Sequence, residues 1–301
     1  MFYASVAATT KAFPPATVVL LICMAALVVA AGCCWPRVRG TTLVGPWCWV
    51  ICTALAIGVV EGLIGLGMLD EGADAWRFAA AVGVFSPWMS LLGAKRPQDT
   101  AWHFIVASLW GVQALPAAEA ILLRPGQPLA IIDFRAYFLI GLMGLSILVY
   151  LPTRYWLPGL LAAAGQAALL WHYLPFATEQ NTGNMAIAGV LFVAATGLAL
   201  LLAWRRREDR AFDRLWRDFR DAFGALWAAR VMERVNASAD MYAWPMRLGW
   251  SGFHAAENPL LAAEIPPEIQ PELRRVMVNL LRRFVSDAWM DARLSGVVGR
   301  H

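Results

Sequence analysis

Charge is what this chain has least of. Of its 301 residues, 15% are Asp, Glu, Lys or Arg and 59% are hydrophobic. A soluble globular chain carries about 25% charged and 45–50% apolar residues, so that balance excludes a soluble domain. Fixed-period repeats and low-complexity tracts are missing too, and 15 Trp and 14 Phe with a mean hydropathy of +0.55 exclude a disordered chain. The sequence also lacks a phosphate loop, a dinucleotide fingerprint, an HExxH and a CxxC, so no reaction and no cofactor is expected from its motifs. What remains is an all-α, polytopic membrane helix bundle.

The charge that is present is unevenly placed. Residues 1–204 hold 9 Lys or Arg and 8 acids, whereas residues 205–301 hold 16 Arg, no Lys and 13 acids. The expected organisation is therefore a transmembrane bundle over 1–204 and a cytoplasmic helical tail over 205–301. A helix needs about 20 mostly apolar residues to cross a bilayer core of roughly 30 Å. Seven stretches qualify: Pro15 to Cys34, Trp47 to Leu69, Trp76 to Gly93, Ala101 to Leu123, Phe134 to Leu151, Trp156 to Phe176 and Asn184 to Trp204. The third is short and contains Ser86-Pro87, so a re-entrant segment and a six-span bundle stay open, with seven preferred on length.

Orientation follows from cations near the span ends. Arg205, Arg206, Arg207 and Arg210 after the last span put the tail in the cytoplasm. Seven spans then place the N-terminus outside, with Arg37, Arg39, Lys95, Arg96 and Arg154 inside and Lys11, Arg77, Arg124 and Arg135 outside. A bacterial inner membrane is the expected location. Ala30-Ala31-Gly32-Cys33 resembles a lipoprotein cleavage box, but removing that segment would carry the Arg205 cluster to the outer face, so it is read as a retained span.

Four polar groups inside the spans are candidate site residues: Glu61, Glu119, Gln113 and Gln166. An ionisable side chain at that depth costs at least about 2.5–3.5 kcal/mol and marks a function by default. The competing expectation is a carboxylate satisfied by a hydroxyl or an Arg, with Gly58, Gly62 and Gly65 beside Glu61 letting helices approach. Cys33, Cys34, Cys48 and Cys52 fall at one hairpin end and offer a soft-metal site, although their spacing matches no standard zinc or iron–sulfur motif and buried apolar thiols are expected instead. His103 and His172 differ in depth by about 21 Å of helix rise and cannot share a haem iron.

The tail is the most sharply patterned region. Phe212, Leu215, Trp216, Phe219, Phe223, Leu226, Trp227 and Val231 recur at helical spacing from Arg210 to Val235, which predicts an amphipathic helix with an aromatic docking face. An irregular connector is expected over Asn236 to Asn258, then a second helix from Pro271 to Leu294. Gly249-Trp250-Ser251-Gly252 has the letters of an intramembrane serine protease motif but sits in the charged tail. The Arg residues alternate with acids, so nucleic-acid binding is not expected. The chain reads as a non-enzymatic membrane subunit or scaffold whose tail docks a protein partner, a second copy or the membrane surface. The alternative is a small secondary transporter or channel with an intramembrane carboxylate site.

Overall fold

The computed structural model describes residues 13–127, 129, 131–176, 183–204, 210–258, 261–262 and 264–294. Lys11, Arg205, Arg206 and Arg207, used above, lie outside the described residues. In chain order the body comprises α1 (Pro15–Val38), α2 (Val44–Gly65), α3 (Ala73–Ala81), a 3₁₀ turn at Val82–Phe85, α4 (Ser86–Leu92), α5 (Gln98–Leu122), α6 (Asp133–Tyr150), α7 (Trp156–Leu170) and α8 (Gly183–Trp204). The protein is mostly helical, and among the described residues α1, α2, α5, α6 and α8 are the five helices long and apolar enough to cross a membrane. The stretches expected as the third and sixth spans take other forms. α7 is 15 residues long, a rise of about 22 Å that falls short of a bilayer core of about 30 Å.

The third stretch is broken for a readable reason. Pro87 has no N–H, so the carbonyl of Gly83 lacks the donor four residues on and takes a 3₁₀ bond from the Ser86 N–H instead. Thr53 Oγ1 donates to that oxygen at 2.9 Å. Trp110 Nε1 donates to the Ala79 carbonyl at 2.8 Å, and Gln166 Nε2 to the Val84 carbonyl at 3.3 Å. Val82, Gly83, Val84 and Phe85 are all buried, so irregular backbone sits where protein, not lipid, surrounds it.

Beyond the body lie α9 (Ala211–Met241), the strands β1 (Met246–Gly249) and β2 (Gly252–Ala255), α10 (Gln270–Leu281) and α11 (Asp287–Leu294). Three expectations for the tail need correction. First, α9 runs past Val235 to Met241 and is interrupted at Gly224, where φ is +75°. A Cβ there would lie 2.6 Å from Val149 Cγ1 and 2.9 Å from the Val149 carbonyl oxygen, so only glycine lets α9 approach the end of α6. Second, the connector holds an antiparallel hairpin in which Gly249 pairs with Gly252 across Trp250-Ser251, so the fold is not wholly α. Asn236 clips the hairpin to α9: its Nδ2 donates to the Leu248 carbonyl at 2.9 Å and its Oδ1 accepts from the Leu248 N–H at 2.8 Å.

Third, the helix expected over Pro271 to Leu294 is split into α10 and α11. The break at 282–286 is where the tail bonds to the body. Thr42 N donates to Phe284 O at 2.8 Å, Arg96 N to Arg283 O at 2.8 Å, and Ser286 N to Gly40 O at 2.7 Å. These loops satisfy backbone groups that a continuous helix would have satisfied internally. Further contacts join α9 and the hairpin to the end of α6: the Tyr150 hydroxyl donates to Ala222 O at 3.1 Å and Trp250 Nε1 to Pro152 O at 2.5 Å. One apolar core accordingly spans Phe219, Phe223, Leu273, Met277 and Leu281 of the tail together with Leu91, Ala94 and Val149 of the body. A second core, including Leu20, Ile57, Phe78, Phe85 and Leu170, fills the bundle.

Candidate functional site

The four intramembrane candidates do not form one site. Glu61, 1% exposed, is held by Arg77 from α3, with Nε to Oε1 at 2.7 Å and Nη2 to Oε2 at 3.2 Å. This two-pronged pair neutralises the carboxylate. Glu119 stands apart near the end of α5 and pairs with Arg124 at 3.2 Å, both side chains being about half exposed. Gln166 is buried and clasps the broken segment, donating to Val84 O while its Oε1 accepts from Ser146 Oγ at 3.1 Å. The Gln113 side-chain oxygen is buried without a hydrogen-bond partner among the described residues.

The thiols do not gather into one group either. Cys33 and Cys52 are exposed, Cys34 and Cys48 half-buried. Among the described residues no group of three or more His, Cys, Asp or Glu is placed to hold a metal ion. His103 Nδ1 accepts a hydrogen bond from Trp49 Nε1 at 3.0 Å, and His172 faces Asp74 at 3.8 Å. Both histidines are occupied by neighbours on their own level.

The aromatic face of α9 turns inward. Phe212, Leu215, Trp216, Phe219, Phe223 and Trp227 are buried, and Leu226 is exposed. The rings of Phe219, Phe223 and Trp227 meet the Phe284 ring edge-on, with centroids 5.0–5.3 Å apart. The chain therefore covers this face with its own second helical segment and with the base of the bundle.

The most concentrated polar chemistry lies at that junction, where no sequence motif pointed. Asp221, 2% exposed, sits between Arg220, at 2.7 Å, and Arg154 from the α6–α7 loop, at 3.1 Å. Arg220 also donates to Trp250 O at 2.6 Å. Asp218 accepts from Arg293 Nε at 2.8 Å and lies 3.9 Å from Arg154. Burial holds the Arg293 guanidinium below its ordinary value and Arg214 and Arg154 push the same way, while Asp218 opposes them. A cavity of about 620 Å³ opens here, lined by Arg37, Arg154, Arg214, Arg217 and Arg293 together with Asp218 and Asp221. Sequence spacing gave Arg214, Arg217, Asp218 and Asp221 only as the polar side of a helix. Their convergence depends on Arg154 and Arg293, 60 or more positions away in the chain.

No family model, curated protein or solved structure matches this chain. Its own geometry carries the functional reading.

Proposed function

We propose that this protein is a seven-span membrane subunit or scaffold of the bacterial inner membrane, with its N-terminus outside and its C-terminal lobe in the cytoplasm. The lobe acts as a fixed platform for a partner chain. The observation that carries this reading is the backbone pairing of 283–286 with the loops at 40–42 and 94–96. Arg37, Arg39, Lys95, Arg96 and Arg154 all lie in or beside the loops that meet the lobe, which agrees with the positive-inside rule for one cytoplasmic end. The broken segment α3–α4 and α7 with the 3₁₀ turn Trp171–Tyr173 that continues it supply the third and sixth crossings, packed against the longer helices. Burial of the α9 aromatic face moves the partner-binding role from that face to the outside of the assembled lobe.

Purification in mild detergent, with the mass of the complex and the identity of each co-migrating chain, tests the reading. A stoichiometric partner chain is expected; a lone monomer would sink it. The second reading, a small transporter or channel, has one observation in its favour, a cavity of about 210 Å³ lined in part by Thr53 and Gln166. It requires that Glu61→Gln abolish movement of a solute while expression survives. Unchanged flux in a Glu61→Gln, Glu119→Gln double variant would remove it.

A further inference from the structure

The arginine-lined cavity does not end at the lobe. It adjoins a cavity of about 420 Å³ that shares Val38, Tyr155, Ala203 and Asp221 with it. That second space adjoins in turn the 210 Å³ cavity inside the bundle, sharing Leu27, Val50, Trp88 and Ala195. Their shared linings trace one path, charged at the lobe and apolar inside the bundle.

Its walls explain its shape. α1 and α8 touch at Gly189, where a Cβ would meet Cys23 Cβ at 2.9 Å. Below that contact, α8 presents Ala195, Ala199 and Ala203 to the space, one every turn, and α1 presents Leu27, Ala31, Cys34 and Val38. The alanine stubs leave the gap unfilled. From Leu27 to Val38 the rise is about 16 Å, and one leaflet of hydrocarbon is about 15 Å, half of a 30 Å core. Tyr155 lines the stretch next to the arginines, and Trp47 and Tyr150 line the space beyond it, residue types that settle at headgroup depth.

We propose that this path is a binding site for one anionic phospholipid, with its phosphate among Arg37, Arg154, Arg214, Arg217 and Arg293 and an acyl chain in the groove between α1 and α8. Charge complementarity selects the occupant. Among the described residues, five arginines against two aspartates leave an excess of three positive charges on the cavity lining, and an apolar groove beginning at that point suits a ligand that is anionic at one end and hydrocarbon at the other. The proposal needs only that the bundle sits in a bilayer, so it stands or falls separately from the scaffold reading.

The full-length protein, reconstituted in nanodiscs of mixed phosphatidylglycerol and phosphatidylcholine, is released and weighed by native mass spectrometry to count retained lipids. Selective retention of one phosphatidylglycerol is expected. Arg37→Gln with Arg217→Gln should weaken that retention by at least about tenfold, each arginine near a membrane surface contributing measurably to anion binding. Ala199→Phe, which fills the groove and removes no charge, should weaken it as well. Equal retention of the two lipids in the wild-type protein would overturn the proposal without any variant being needed. So would unchanged retention in either variant, or complete displacement of the lipid by excess inorganic phosphate, which would reveal a site for a free anion.

Discussion

Glu61 and Arg77 show what a single buried charge commits a membrane protein to. Removing one member of a buried pair leaves the other uncompensated, at a cost of about 3–5 kcal/mol, whereas replacing both with apolar groups of similar volume is often neutral. Arg77→Gln alone should therefore lower the melting temperature in detergent strongly, and Glu61→Leu with Arg77→Leu should restore most of the loss; equal losses in both would contradict the pairing. The carboxylate was legible in the sequence because a charge within an apolar run stands out. Its partner was not, because Arg77 sits 16 positions away and reads equally well as a loop cation. Asp221 was less legible still, since a helix bearing many Arg and Asp residues gives no sign of which acid is buried.

Whole elements were read from periodicity, and the amphipathic pattern did identify α9 and α10, because a 3.6-residue repeat is a local property. The breaks within them were missed because they answer to distant groups. Gly224 yields to Val149, and 282–286 yields to the loops at 40–42 and 94–96. The hairpin went unseen because its strands are four residues each, too short for alternation to show. Gly224→Ala should cost about 1–3 kcal/mol through its glycine-only backbone geometry alone, read as faster hydrogen exchange in α9 with little change in α2 or α5. In the broken segment, Thr53→Val should remove one of the two hydrogen bonds to the Gly83 carbonyl, leaving that from the Ser86 N–H, at a cost of about 0.5–1.5 kcal/mol, and faster proteolysis within 82–92 would report it. Wild-type behaviour in that variant would mean the Ser86 bond alone holds the segment.

At the scale of the whole molecule, lobe and body share one apolar core, and neither is complete alone. Truncation before Ala211 should leave Leu91, Ala94 and Val149 uncovered and give aggregated protein in detergent, whereas a flexible tail would leave a well-behaved bundle. Topology is open to a direct check: a fluorescent protein fused at the C-terminus should glow in the cytoplasm, and a periplasm-dependent phosphatase fused at the N-terminus should be active. The reverse pattern would invert the bundle.

The pairing of Thr42 with Phe284 also sets an order in time. Thr42 leaves the ribosome about 240 residues ahead of its partner, a delay of roughly 12–48 s at about 5–20 residues per second. Throughout that interval the loop at 40–42 keeps only its bonds within the body, such as Thr42 Oγ1 to Ala94 O, and the Thr42 N–H waits for its acceptor. Completion of the final helices closes it. A chain released early carries an unlatched loop at its membrane surface, exposed to the proteases and chaperones that sort unfinished proteins.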